Sequence, residues 1–175
     1  MSYLSGLYTN GGEADIRAVV NVIINGSDAE PPRGHWVQIL RINPSRPCCV
    51  NVTSGKWGEA NEKKCKTCLG MGWYFDKVIT RAKRSRLVGD DPSTAILRAH
   101  LHKVRYYFTH DTFMSDHQAE HSRVIEIKNN DDGSLPDPIE EIISYHVQVA
   151  TPFTCDHGRI EYWALDCERL EISRA

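Results

Sequence analysis

The sequence predicts a mainly β protein: a small antiparallel β-barrel, one N-terminal helix against it, and a long cysteine-bearing loop inserted between two strands. Three observations carry that reading. Short runs rich in β-branched and aromatic residues recur along the chain, separated by turn signals. One of them, "IISYHVQVA" (142–150), alternates cleanly, with Ile143, Tyr145, Val147 and Val149 on one face and Ser144, His146 and Gln148 on the other. The run with helical spacing lies near the N-terminus.

Residues 1–12 read as a flexible arm. In "EADIRAVVNVIING", Ile16, Val19, Val20 and Ile23 recur at helical spacing, Glu13 and Asp15 stand at the start and Gly26 follows the end. That predicts a helix over 13–25. "SDAEPPRG" is a loop. "HWVQILRIN" (35–43) is a strand apolar on both faces and stopped by Pro44. "GWYFDKVIT" (72–80) resumes the strand pattern after the cysteine segment, and "GDDPS" breaks it, with Asp90 and Asp91 serving turn chemistry.

"LHKVRYYFT" (101–109) alternates, with Val104, Tyr106 and Phe108 on one side. "HDTFMSDHQAEHS" reads as an irregular loop, "RVIEIK" (123–128) as a short strand and "NNDDGSLPDP" as a turn-rich connection. After strand 142–150, Gly158 centres a hairpin turn. The return strand, 160–172, shifts its apolar phase near Trp163, which one extra residue explains.

The 175 residues make one domain, 1–175, and 41% apolar content lets it bury a core without disulfide staples. A net charge of −2 argues against coating nucleic acid by bulk charge. The charge is unevenly placed: eight Lys/Arg against two Asp over 77–105, then nine Asp/Glu against two Lys/Arg over 106–141. Such blocks suit self-association or a charged partner, or stand as two solvated faces. "MSYLSGLYTNGGEAD" lacks the basic start and long apolar core of a signal peptide, and no apolar run reaches the roughly 18 residues of a membrane span. The expectation is assembly in a reducing cytosol without membrane contact, where six cysteines favour free thiols or metal over disulfides.

Segment 44–71 is too long for an ordinary hairpin loop and needs its own source of order. Cys65-Lys-Thr-Cys68 has the spacing of a zinc half-site, and Gly70 permits the tight backbone that aims amides at sulfur. Lys63, Lys64 and Lys66 would offset the charge of a zinc tetrathiolate. Cys48 and Cys49 supply the other half, so the expected ligands are Cys48, Cys49, Cys65 and Cys68 around a structural Zn2+. Adjacent cysteines diverge on an extended chain. One of them could therefore yield to His35, Cys155 or His157, or the segment could hold no metal. A closed four-ligand site leaves no place for substrate and predicts structure, not catalysis. Cys155 and Cys167 read as small buried thiols that do not face each other.

Two further patterns could signal an enzyme. His117-Gln-Ala-Glu-His121 fits the inverted zinc-protease motif, with Glu120 as the base, but reads here as a solvated polar loop. His100 and His102 would share a strand face without a third ligand. The expectation is a protein that is not an enzyme. A small zinc hydrolase, or a zinc-binding adaptor that contacts nucleic acid or protein through the lysines of the loop, stands as the alternative.

"INPSRPCCV" (42–50), "CKTCLGMGWYFDK" (65–77), "YYFTHD" (106–111), "RVIEI" (123–127) and "CDHGRIEYWALDC" (155–167) follow one another in order. Over roughly 35–170 the chain resembles short proteins of tailed bacteriophages encoded among the head and neck components. The first cysteine pair in those proteins tends to be C-x-C, so Cys48-Cys49 departs by one residue. The resemblance implies a structural neck protein, a stopper or adaptor, in the virion and assembled in the host cytoplasm. It would form a homo-oligomeric ring, hexamer or dodecamer, against other neck, portal or tail proteins. Double-stranded DNA would pass through its channel without specific binding.

Overall fold

A computed structural model describes residues 15–48, 72–86, 103–155 and 158–170. Six strands close into an antiparallel barrel: β1 (His35–Pro47), β2 (Trp73–Arg86), β3 (Lys103–Thr109), β4 (Arg123–Ile127), β5 (Glu141–Cys155) and β6 (Arg159–Arg169). Around the barrel the order is β1-β2-β3-β6-β5-β4. Among the described residues two helices accompany it, α1 (Ile16–Asn25) and α2 (Asp116–Glu120). None of the described helices is long and apolar enough to cross a membrane.

Alternation fills the interior. Val104, Tyr106 and Phe108 of β3 meet Trp163, Leu165 and Cys167 of β6, with Val37, Ile39, Ala82, Val124, Tyr145 and Val147 from the other strands. The connection from β3 to β4 carries Phe113 and Ala119 into the same core. Phe113 meets Phe108 and Trp163 edge-on, both at 5.6 Å between ring centres, and Trp163 Nε1 donates to His110 O at 3.1 Å. This crossover therefore closes one end of the barrel with aromatic packing.

Closure is partial along two strands. β1 pairs with β4 only over Val37–Leu40. β2 pairs with β3 only from Lys83 to Arg86. Arg41–Pro47 and the start of β2 thus continue as a two-stranded ribbon past the barrel pairings. α2 packs against β1 and β5, and α1 packs against β2, β3 and β6.

α1 starts three residues later than the sequence predicts. Asp15 is its N-cap and accepts from Arg17 N. The Arg17 guanidinium donates through Nε to Ile160 O at 2.8 Å and lies 3.8 Å from Glu161, a fully buried carboxylate. Arg159 Nε donates to Glu161 Oε1 at 2.6 Å. At the other end, Gly34 N donates to Ile24 O at 3.1 Å. A Cβ on Gly34 would stand 2.6 Å from that oxygen, so only glycine lets helix and strand approach this closely.

Four expectations need correction. Pro44 does not stop β1, which runs on to Pro47. Beyond Leu40 that strand has no β4 neighbour, so a missing N–H is tolerated on its outer edge. Val149 does not join the core face. The β5–β6 register slips between Val147 and Val149, leaving Val149 51% exposed and turning Ala150 inward. The irregular loop 110–122 contains α2. The phase shift expected near Trp163 is not seen: the β5–β6 register slips at Glu161, but Glu161, Trp163, Leu165 and Cys167 all face inward in unbroken alternation.

The two charge blocks meet within the chain. Arg84, from the basic block, lies 3.1 Å from Glu126 of the acidic one. Tyr106, fully buried, donates its hydroxyl to the same carboxylate at 2.5 Å. Burial, then the Glu126 contact, pushes the Tyr106 phenol well above its usual range. Arg81 lies over the Trp36 ring at 4.3 Å and donates to Gly133 O in the acidic β4–β5 connection. Part of the basic face is therefore consumed internally.

Candidate metal centre

The β1–β2 ribbon ends at the root of the cysteine loop. Cys48 is 8% exposed, and its N–H donates to Gly72 O at 2.7 Å. Gly72 takes a φ of 78°, which a side chain would strain. The next residue, Trp73, pairs with Pro47. The chain thus leaves the ribbon at Cys48 and rejoins it at Gly72 through hydrogen-bonded neighbours.

Of the four expected zinc ligands, Cys48 is described, at this closure point. Cys49, Cys65 and Cys68 lie outside the described residues, as do His100, His102, Asp90, Asp91 and His157. Among the described residues, no three His, Cys, Asp or Glu side chains form a group that could hold a metal ion.

Of the alternative ligands, His35 lies far from Cys48. His35 opens β1 and Cys48 follows its end, thirteen strand residues away, on the order of 40 Å for an extended strand. His35 therefore does not share a site with Cys48. Burial lowers its imidazole pKa, against a smaller opposing pull from Glu126. Cys155 ends β5 opposite Arg159, half-buried. Cys167 pairs with Val147 deep in the barrel, where burial pushes its thiol pKa up and keeps it neutral. The two cysteines do not face each other, as the sequence suggests.

The motif His117-x-x-Glu120-His121 lies beside the loop root. Ser115 caps α2 by accepting from Gln118 N at 3.2 Å. The Gln118 side chain, 3% exposed, accepts from Met114 N at 2.9 Å and donates to Ile42 O at 3.0 Å. Ser122 Oγ donates to Gln118 O at 2.5 Å. This buried set of bonds fixes α2 to β1 where the ribbon begins. The His117 and His121 rings then stand 4.3 Å apart between centres. Both meet the Trp73 ring edge-on, at 5.3 and 6.2 Å.

Sequence reasoning missed this helix. The signal was present as Ser115-x-x-Gln118, the spacing of a capping box. For proteolysis the motif requires a third downstream ligand, and none converges on the pair among the described residues. No protein-family model matches the sequence, and neither does any curated protein.

Proposed function

We propose that the chain is a structural virion protein of a tailed bacteriophage, a ring-forming stopper or adaptor of the neck with a zinc-ordered loop. The observation that carries this reading is the way the barrel presents its surface. Closure pairs each strand with two neighbours over part of its length, which leaves side-chain faces and the projecting ribbon as surfaces for assembly. Both are present. The β1–β2 ribbon carries the cysteine loop away from the barrel pairings. The outer wall of β5 and β6 exposes Val149, at 51%, and Phe153, at 43% and stacked on Tyr162 at 4.8 Å.

Apolar side chains on an outer wall suit a neighbouring subunit, and a head-to-tail contact that closes gives a ring. The order of motifs, which resembles that of phage neck proteins, supports the same reading. Cys48, Cys49, Cys65 and Cys68 would hold a structural Zn2+, whose binding free energy orders a polar loop that cannot bury a core of its own. Catalysis has no part in this role.

Native mass spectrometry with metal analysis tests it. The expected result is a closed oligomer of six or twelve chains with about one zinc per chain. A zinc-free monomer at micromolar concentration overturns it.

A further inference from the structure

The paired histidines of α2 have the geometry of a ligand pair. His117 and His121 are one helical turn apart, on the same side of a capped helix. Their ring centres are 4.3 Å apart, close enough for both to face one ion. His121 Nδ1 lies 2.9 Å from His117 O. A carbonyl can only accept, so Nδ1 is the donor, and in the neutral ring Nε2 is the nitrogen left with a lone pair. Metal-bound histidines are oriented in this way, one ring nitrogen donating to a carbonyl and the other left for the ion.

Two further features favour a cation here. Trp73 packs edge-on against both rings and limits their freedom before any ion arrives. Asp116 and Glu120, both exposed, flank His117 and His121 in sequence and add negative charge near the pair. His117 is exposed and His121 partly so, leaving solvent ligands free to complete the coordination. Imidazole pairs suit borderline divalent ions such as Ni2+, Zn2+ and Co2+.

We propose that His117 and His121 form a second, exchangeable site for a divalent transition ion, distinct from the cysteine loop and held against Trp73 at its root. The site is open, with two protein ligands and solvent in the remaining positions. It therefore binds more weakly than a closed structural zinc centre.

The test uses the full chain, first saturated with Zn2+ under reducing conditions and freed of excess metal. Ni2+ is then added, followed by calorimetry and by tryptophan fluorescence. One Ni2+ per chain is expected, with quenching that is lost in W73F. H117A and H121A should each weaken binding by about tenfold or more, while H110A leaves it unchanged. Retained zinc content in H117A and H121A is the second expected result. Undiminished Ni2+ affinity in both histidine variants overturns the proposal. So does loss of the tightly bound zinc in folded H117A, which would place the histidines in the cysteine centre itself. Far-UV circular dichroism of each variant confirms folding, and H117Q and H121Q repeat the measurement if an alanine variant fails to fold. Failure of ring assembly with intact Ni2+ binding would count against the neck reading alone.

Discussion

The Gln118 side chain donates to Ile42 O at the residue where the regular β1–β2 register ends; the next recorded pair is Pro47 with Trp73. One buried amide therefore joins α2 to the last regular rung of the ribbon. It also accepts from Met114 N, so both ends of the amide are engaged. We predict that Gln118→Ala costs about 1–3 kcal/mol, because a carbonyl and an N–H lose their partner in a buried place. Urea denaturation gives the loss. Hydrogen exchange should show Met114 N–H among the amides that lose protection, and unchanged protection there would remove Gln118 from this role.

Gly34 and Gly158 make a paired comparison. Gly158 has a φ of 75° and open space around its missing Cβ, so Gly158→Ala should cost only the backbone strain, about 1–2 kcal/mol. Gly34→Ala would push a Cβ to 2.6 Å from Ile24 O and separate α1 from β1. We predict the larger fall in thermal midpoint for Gly34→Ala. Equal falls would show that the helix contact adjusts freely.

His35 should leave a mark on the pH dependence of stability. Burial lowers its folded pKa below the ordinary 6.5, with Arg84 and Lys83 acting in the same direction and Glu126 against. The unfolded chain then binds the proton more readily than the folded one. The stabilisation is complete above about pH 6.5 and is lost as pH falls toward the lowered value. His35→Gln should flatten the stability slope on the acid side of 6.5, as read by urea midpoints across that range. A slope the same as wild type would assign it to other groups.

Removing the proposed zinc should separate the loop from the barrel. We predict that a chelator with a thiol reductant abolishes ring assembly but leaves the near-UV circular dichroism of the core intact. Trp163 is packed against Phe113 and bonded to His110 O, far along the chain from the cysteine loop. Collapse of the near-UV signal together with assembly would mean that metal and barrel fold as one unit.

The barrel was legible because period-two alternation is a direct record of burial. Val104, Tyr106 and Phe108 read as one face and form one. The helix α1 was legible from helical spacing instead, although Ile23 of that stripe is exposed and Ile24 is the buried residue. The bulge at Val147–Val149 was not, since a single unpaired residue inverts every face after it and leaves the composition unchanged. α2 escaped notice because five residues are too few for a period. Its order comes from Gln118 reaching Ile42, a partner 76 positions away. Separation in sequence also hid the neighbourhood of His117, His121 and Trp73. The zinc assignment rests on spacing in the sequence, with Cys48 placed where the loop departs.

The bond between Cys48 N and Gly72 O has one more consequence. Antiparallel partners that share such a bond have Cα atoms about 5.5 Å apart, the span of a tight turn. Residues 48 and 72 thus form a single doorway between the strands and the inserted sequence 49–71. Such a segment can be exchanged, lengthened or cut back to a turn with little change to the strands beneath it. One scaffold could then meet different neighbours by altering only what it carries at that doorway.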